Sequence, residues 1–149
     1  MAFFRNESFW LFTPLIIWIA GIFYFSSSKG SFSRTLPYFV PLLRLLFPRS
    51  DQVALTNHYL CVRKLLHFFG YAVLGLLASI ALYSSSLLFL ATLWHLLSFA
   101  IVMAVAAVDE GRQCFNPDRV GSLSDVALDG VGGLTAILLF WICTLSFFR

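Results

Sequence analysis

The sequence predicts an all-α, polytopic membrane protein built as a four-helix transmembrane bundle, and three observations predict it. The chain of 149 residues is 60% hydrophobic and only 11% charged, with 17 phenylalanines. Ordinary globular domains are about half apolar and about a quarter charged, so a soluble fold would lack the polar side chains to cover its surface. The apolar residues gather in four long runs, approximately 9–25, 65–83, 87–108 and 126–148, each of a length suited to a bilayer span. The acidic residues gather as well: Asp109, Glu110, Asp118, Asp125 and Asp129, five of the seven, lie between Val108 and Gly133. The whole chain, 1–149, reads as a single domain without repeats or low-complexity tracts.

The first run, Phe9 to Phe25, would be about 25 Å long as a helix, a slightly thin span. A cleaved signal peptide is the rival reading. The run ends in Phe23-Tyr24-Phe25 with no A-x-A-like site, and Trp10 and Tyr24 suit interfacial anchors, so a retained helix is expected. Ser26 to Arg63 then forms a long basic connection. Within it, Leu36 to Phe47 is apolar but short, and Pro41 would occupy the first turn of any helix running to Phe47. An interfacial or re-entrant segment near 36–47 is one reading, with Arg44 and Arg49 at the headgroups; a loop packed over the bundle is the other.

The second run, Leu65 to Tyr83, is followed by a hinge of only three residues, Ser84-Ser85-Ser86. The second and third spans must therefore form an antiparallel hairpin. The fourth run opens with Asp125 and Asp129, and Ser122 or Ser124 is placed to cap it. Gly132 and Ala136 form a small-xxx-small pair that lets a neighbouring helix approach closely. Pro117-Asp118 and Gly121 mark turns before it. Cys61, Cys114 and Cys143 form no C-x-x-C pair, so no disulfide framework is implied. Cys143, deep in an apolar run, reads as inert packing. A formal charge of +3 on so apolar a chain excludes a nucleic-acid binder.

Four antiparallel spans bring the start of the second, the end of the third and the start of the fourth to one membrane side. Those places hold the polar residues. Lys64, His67 and Tyr71 share one face of the second span, Asp109 and Gln113 are spaced i, i+4 on the third if it continues that far, and Asp125, Asp129 and Gly132 stack on the fourth. A carboxylate at the centre of a membrane helix costs about 2.5–3.5 kcal/mol and less near the interface. Asp129 thus calls for a partner, with Lys64, Arg112 and Arg119 as the available cations. Mutual neutralisation that merely staples helices together is the plain alternative to a binding site.

At these residues the chain resembles the VanZ-like family of small membrane proteins. Lys64-x-x-His67-Phe68-x-x-Tyr71, then Asp109-Glu110-x-x-Gln113-x-Phe115-x-Pro117-x-Arg119, then Ser124-Asp125-x-x-x-Asp129-x-x-Gly132 follow the three family segments in order. Asp129 stands where the family usually has Asn. The extra negative charge calls for a cation, a metal ion or a held proton. The resemblance implies a link to low-level resistance to the glycopeptide teicoplanin, but no reaction.

The residues themselves suggest a membrane-embedded site that binds or modifies an anionic lipid-linked or cell-envelope substrate. Lys64 and Arg119 would hold phosphate, with Tyr71, Gln113, Ser124 and Asp129 as further binding residues. His67 is the acid–base candidate, oriented by Asp109, Glu110 or Asp125. Asp109, Glu110, Asp125 and Asp129 are able to collect a divalent ion but show no recognisable ligand pattern, and no cofactor is singled out. The second reading is a non-enzymatic scaffold or partner-docking protein whose polar cluster only stabilises the bundle. A transporter fits poorly, because the polar residues are confined to one side. For orientation, Lys29, Arg34, Arg44, Arg49, Arg63, Lys64, Arg112 and Arg119 fall in the first and third connections, against Arg5 and Arg149 at the termini. The positive-inside rule then puts the site on the cytoplasmic side of a multi-pass cell-membrane protein.

Overall fold

A computed structural model describes residues 7–27, 32–114 and 122–147. These residues form six helices and no strand: α1 (Glu7–Phe25), α2 (Phe32–Leu46), α3 (Gln52–Tyr83), α4 (Leu88–Thr92), α5 (Trp94–Cys114) and α6 (Leu123–Phe147). Three of them, α3, α5 and α6, are long and apolar enough to cross a membrane, and α1 is a shorter apolar helix. Their outer faces carry exposed Ile17, Leu66, Phe69, Leu76, Val131, Leu139 and Leu145, as expected of helices whose solvent is lipid.

The bundle is organised on α3, which packs against all five other helices and most extensively against α6. Its core side chains Tyr71, Leu74, Ala78, Ala81 and Leu82 meet Val102, Val105 and Ala106 of α5, Ile137 of α6 and Leu15 of α1. Glycines set how close α3 and α6 come. A Cβ on Gly75 would stand 2.5 Å from the Gly133 carbonyl oxygen, and one on Gly132 would overlap the carbonyl of Phe68. The close approach foreseen for Gly132 is made to the backbone of α3.

The helix carrying the second apolar run starts at Gln52, not at Leu65. Asp51 caps it, its side chain accepting from the Ala54 N–H at 2.8 Å. At 32 residues α3 is about 48 Å long, more than a hydrocarbon core needs, so its first turns extend beyond the bilayer core. The extension is covered by α2, where Leu43 packs on Leu55 and Tyr59 with Leu36 and Phe39 around them. Thr35 and Tyr59 share a hydrogen bond there. Residues 36–47 are thus mostly the amphipathic helix α2, packed on α3. That helix begins at Phe32, which puts Pro41 in its interior and not in its first turn.

The third run is divided. A five-residue helix, α4, ends at Thr92 with Leu93 as its C-cap, and α5 then continues past Val108 to Cys114; no glycine or proline explains the break. Near this break Trp94 packs edge-on against Tyr83 and Phe140, and His95 stacks on Trp141 at 5.1 Å. Continuation of α5 matters more: it brings Asp109 and Gln113 onto one helical face. The fourth run is α6, entered through Ser122, whose hydroxyl accepts from the Ser124 N–H at 3.2 Å. Cys143 does not pack inside the bundle; it is exposed on α6.

Candidate functional site

The end of α1, the end of α5 and the start of α6 meet the middle of α3 on one side of the bundle. From α3 come His67 and Tyr71, one turn apart on the face turned to α5 and α6. From α5 come Asp109, Glu110 and Gln113, and from α6 comes Asp129. Asp129 is fully buried, Asp109 and Tyr71 are 1% exposed, and Glu110 and Gln113 are buried as well. Burial of three carboxylates so close together is costly unless each finds donors or a cation.

Two of the carboxylates are built into a hydrogen-bond network. The Gln113 side-chain amide donates toward Asp109 Oδ2 at 3.1 Å, Glu110 Oε1 at 2.9 Å and Ser26 Oγ at 3.0 Å. Ser26, at the end of α1, donates in turn to Asp109 Oδ2 at 2.7 Å. The Ser122 N–H, just ahead of α6, donates to Glu110 Oε2 at 3.1 Å. Glu110 is therefore fixed at both oxygens, and the network joins α1, α5 and the entry to α6.

The third carboxylate is different. His67 Nδ1 lies 3.5 Å from Asp129 Oδ1, and this pair is all that Asp129 has: neither of its oxygens accepts a hydrogen bond among the described residues. Asp109 Oδ1 and the Tyr71 hydroxyl are also without a hydrogen-bond partner there. Four polar atoms at one locus are thus buried and unsatisfied, where native proteins leave few. Arg63, one turn before His67, adds a positive field to the imidazole, while Asp109, Glu110 and Asp129 all act on the Tyr71 phenol. An imidazole held by a buried carboxylate is equipped to accept or donate a proton at its other nitrogen, or to ligate a metal. His67, Glu110 and Asp129 each offer a ligand atom within 4.8 Å of the others.

Beside this pocket, on the lipid-facing side, a cleft of about 510 Å³ runs between α3 and α6. Leu60, Leu65, Phe68 and Leu128 line it together with Cys61, and Lys64 is the charged residue on its wall. Lys64 is one turn from His67, and Leu128 adjoins Asp129 in the chain.

The family model for VanZ/LLP1 matches residues 10–144. The chain belongs to the VanZ/LLP1 family. No curated protein and no solved structure matches it. The segments that carry the VanZ resemblance supply His67, Tyr71, Asp109, Glu110, Gln113 and Asp129, and the fold brings all six together. It does not bring in every predicted residue. Lys64 lies outside the acidic pocket, exposed along the cleft. Ser124 is exposed, and its hydroxyl meets that of Ser122 at 2.7 Å in the turn that enters α6. Asp125 stays at the margin, partly buried and acting on Glu110 and Asp129 through its charge. Arg119 and the turns at Pro117-Asp118 and Gly121 lie outside the described residues.

Two pairings differ from those expected. The group beside Asp129 is His67 and not Lys64 or Arg112. Arg112 sits over the Phe23 ring, 5.0 Å from its centroid. The carboxylate beside His67 is likewise Asp129, not Asp109, Glu110 or Asp125. Ser26 is the participant that sequence reasoning passed over. Its signal was available, because the end of the first run falls on the same side as the other polar segments.

Proposed function

We propose that this VanZ-family membrane protein binds a lipid with an anionic headgroup, its acyl chain in the α3–α6 cleft and its headgroup at Lys64, next to the buried pocket. The observation that carries this reading is the pairing of one cation with an apolar, lipid-facing wall. A hydrocarbon chain matches Leu65, Phe68 and Leu128, and a phosphate matches a lysine point charge. His67 is then the group best placed to exchange a proton with the bound headgroup, and Tyr71 a donor for it. The link to teicoplanin resistance comes from the family resemblance, and the cell-envelope lipid from the residues themselves. The basic residues around the site favour its placement on the cytoplasmic side of the cell membrane.

The test is native mass spectrometry of the protein in detergent against phosphatidylglycerol and phosphatidylcholine of matched chains. Preferential retention of phosphatidylglycerol, lowered about tenfold by Lys64→Met, is expected. Equal retention of both lipids, or no effect of Lys64→Met, would sink the reading.

A second reading is favoured by one specific observation. The Gln113–Ser26–Asp109–Glu110–Ser122 network joins three helices, which a purely structural polar cluster would also do. On that reading Asp129→Asn and Lys64→Met leave teicoplanin susceptibility and lipid profile unchanged while lowering thermal stability in detergent. Loss of function at normal expression and melting supports a site.

A further inference from the structure

The network around Gln113 satisfies the oxygens of Glu110 and one oxygen of Asp109, but it stops short of Asp129. That residue is fully buried with both oxygens unsatisfied, 3.5 Å from an imidazole nitrogen, and Glu110 is anchored close by. A hydrogen-bonded scaffold alone has no reason to leave its most buried carboxylate unfilled. We propose that His67, Glu110 and Asp129 form a divalent transition-metal site, with Asp109 Oδ1 and the Tyr71 hydroxyl beside it.

Geometry and ligand chemistry both support this. Ligands at about 2.0–2.2 Å from one ion stand roughly 3–4 Å apart. His67 and Asp129 already have that spacing, and Glu110 needs only a small side-chain adjustment from within 4.8 Å. One imidazole with two carboxylates suits Zn²⁺ or Mn²⁺ better than Mg²⁺ or Ca²⁺, which prefer all-oxygen shells. Gln113 and the Ser122 N–H hold the Glu110 carboxylate in orientation, the supporting role that outer hydrogen bonds play at metal centres. Three protein ligands leave room for a water or a substrate oxygen, and Tyr71 would donate to it. Asp129 acquires a specific meaning here: an asparagine at this position would offer a neutral oxygen, whereas the aspartate offers a charged ligand.

The metal site does not depend on the lipid reading, and one set of proteins separates the two. The full chain is purified in detergent, stripped with a chelator and titrated with Zn²⁺ and with Mn²⁺ by calorimetry, with metal content read by mass spectrometry. One equivalent of Zn²⁺ or Mn²⁺ is expected, together with a higher melting midpoint. Asp129→Asn and Glu110→Gln should weaken binding more than tenfold, Gln113→Leu by about 10–100-fold, and Lys64→Met not at all. Should a variant fail to fold, X-ray absorption of the metal-loaded wild type decides the same question. It is expected to show an oxygen and nitrogen shell at about 2.0–2.2 Å with imidazole scattering. No stoichiometric metal, no imidazole in the shell, or folded Asp129→Asn and Glu110→Gln proteins that bind like wild type would overturn the proposal. Metal retained with no lipid preference would overturn only the lipid reading, and the converse result only the metal site.

Discussion

Gly132→Ala is the smallest change that should disturb the site from outside it. The new methyl would overlap the Phe68 carbonyl, and that oxygen belongs to the α3 backbone, so it cannot rotate away. Relief requires α3 and α6 to part, at a typical overpacking cost of about 1–3 kcal/mol. Gly70→Ala is the control, because nothing stands within 4 Å of its new Cβ and an alanine in a helix gains up to about 1 kcal/mol over glycine. The helix gain is common to both variants, so they should differ by about 1–3 kcal/mol. At roughly 2–4 °C per kcal/mol for a chain of this size, that is about 2–12 °C between their melting midpoints in detergent. Gly130→Ala should fall between them, since the atom it meets, Sδ of Met103 at 2.8 Å, ends a flexible side chain that can move aside. Phe68 follows His67 directly, and Gly132 is one turn from Asp129. Parting the helices there should also loosen the 3.5 Å His67–Asp129 pair, so metal affinity should drop with the melting midpoint. A Gly132→Ala protein that melts at or above Gly70→Ala would refute the packing argument.

Gln113→Leu removes the amide that serves three acceptors at once, and leaving the buried Glu110 Oε1 without its donor costs about 1–3 kcal/mol or more; a melting curve within experimental error of wild type would contradict this. Ser26→Ala should cost less, about 1 kcal/mol, and should cost more than that in a Gln113→Leu background, where Ser26 is the donor left to Asp109 Oδ2. Additive losses in that double-mutant cycle would argue against a shared network. Cys114, exposed at the end of α5, should resist an impermeant thiol reagent in intact cells once Cys61 and Cys143 are replaced by serine, and should react after permeabilisation; labelling in intact cells would reverse the proposed orientation.

Much of this fold was legible because a bilayer allows few solutions. Runs of apolar residues of the right length had to be helices, and a three-residue hinge had to reverse the chain. The convergence of His67, Asp109, Glu110 and Asp129 followed from the alternation of spans alone. Helix ends were less legible, since hydropathy reports where lipid begins and not where hydrogen bonding stops. The Asp51 cap starts α3 well before its apolar stretch, and the extension exists because α2 supplies Leu43 to cover Leu55 and Tyr59. Such pairing is tertiary, and periodicity within either segment does not reveal it.

Pairing within the polar cluster was the least legible part, and the reason is steric. Charge alone matched Asp129 with Lys64, Arg112 or Arg119, the available cations. Lys64 and His67 differ by three positions, a net angle of about 60° around a helix, and that offset leaves Lys64 exposed on the cleft and turns His67 into the pocket. Their separation gives the protein two neighbouring environments from a single helix turn. One is an exposed cation on an apolar wall, and the other is a buried acidic pocket that repels anions unless a cation sits in it. An anionic headgroup held at Lys64 would approach His67 and Asp129 only if the negative charge there is balanced. A divalent ion at His67, Glu110 and Asp129 supplies that balance. The two proposals therefore predict a coupling: Zn²⁺ or Mn²⁺ should tighten retention of phosphatidylglycerol in the wild type and lose that effect in Glu110→Gln, with phosphatidylcholine indifferent throughout. Tightening that persists in Glu110→Gln would place the ion elsewhere, at the headgroup itself.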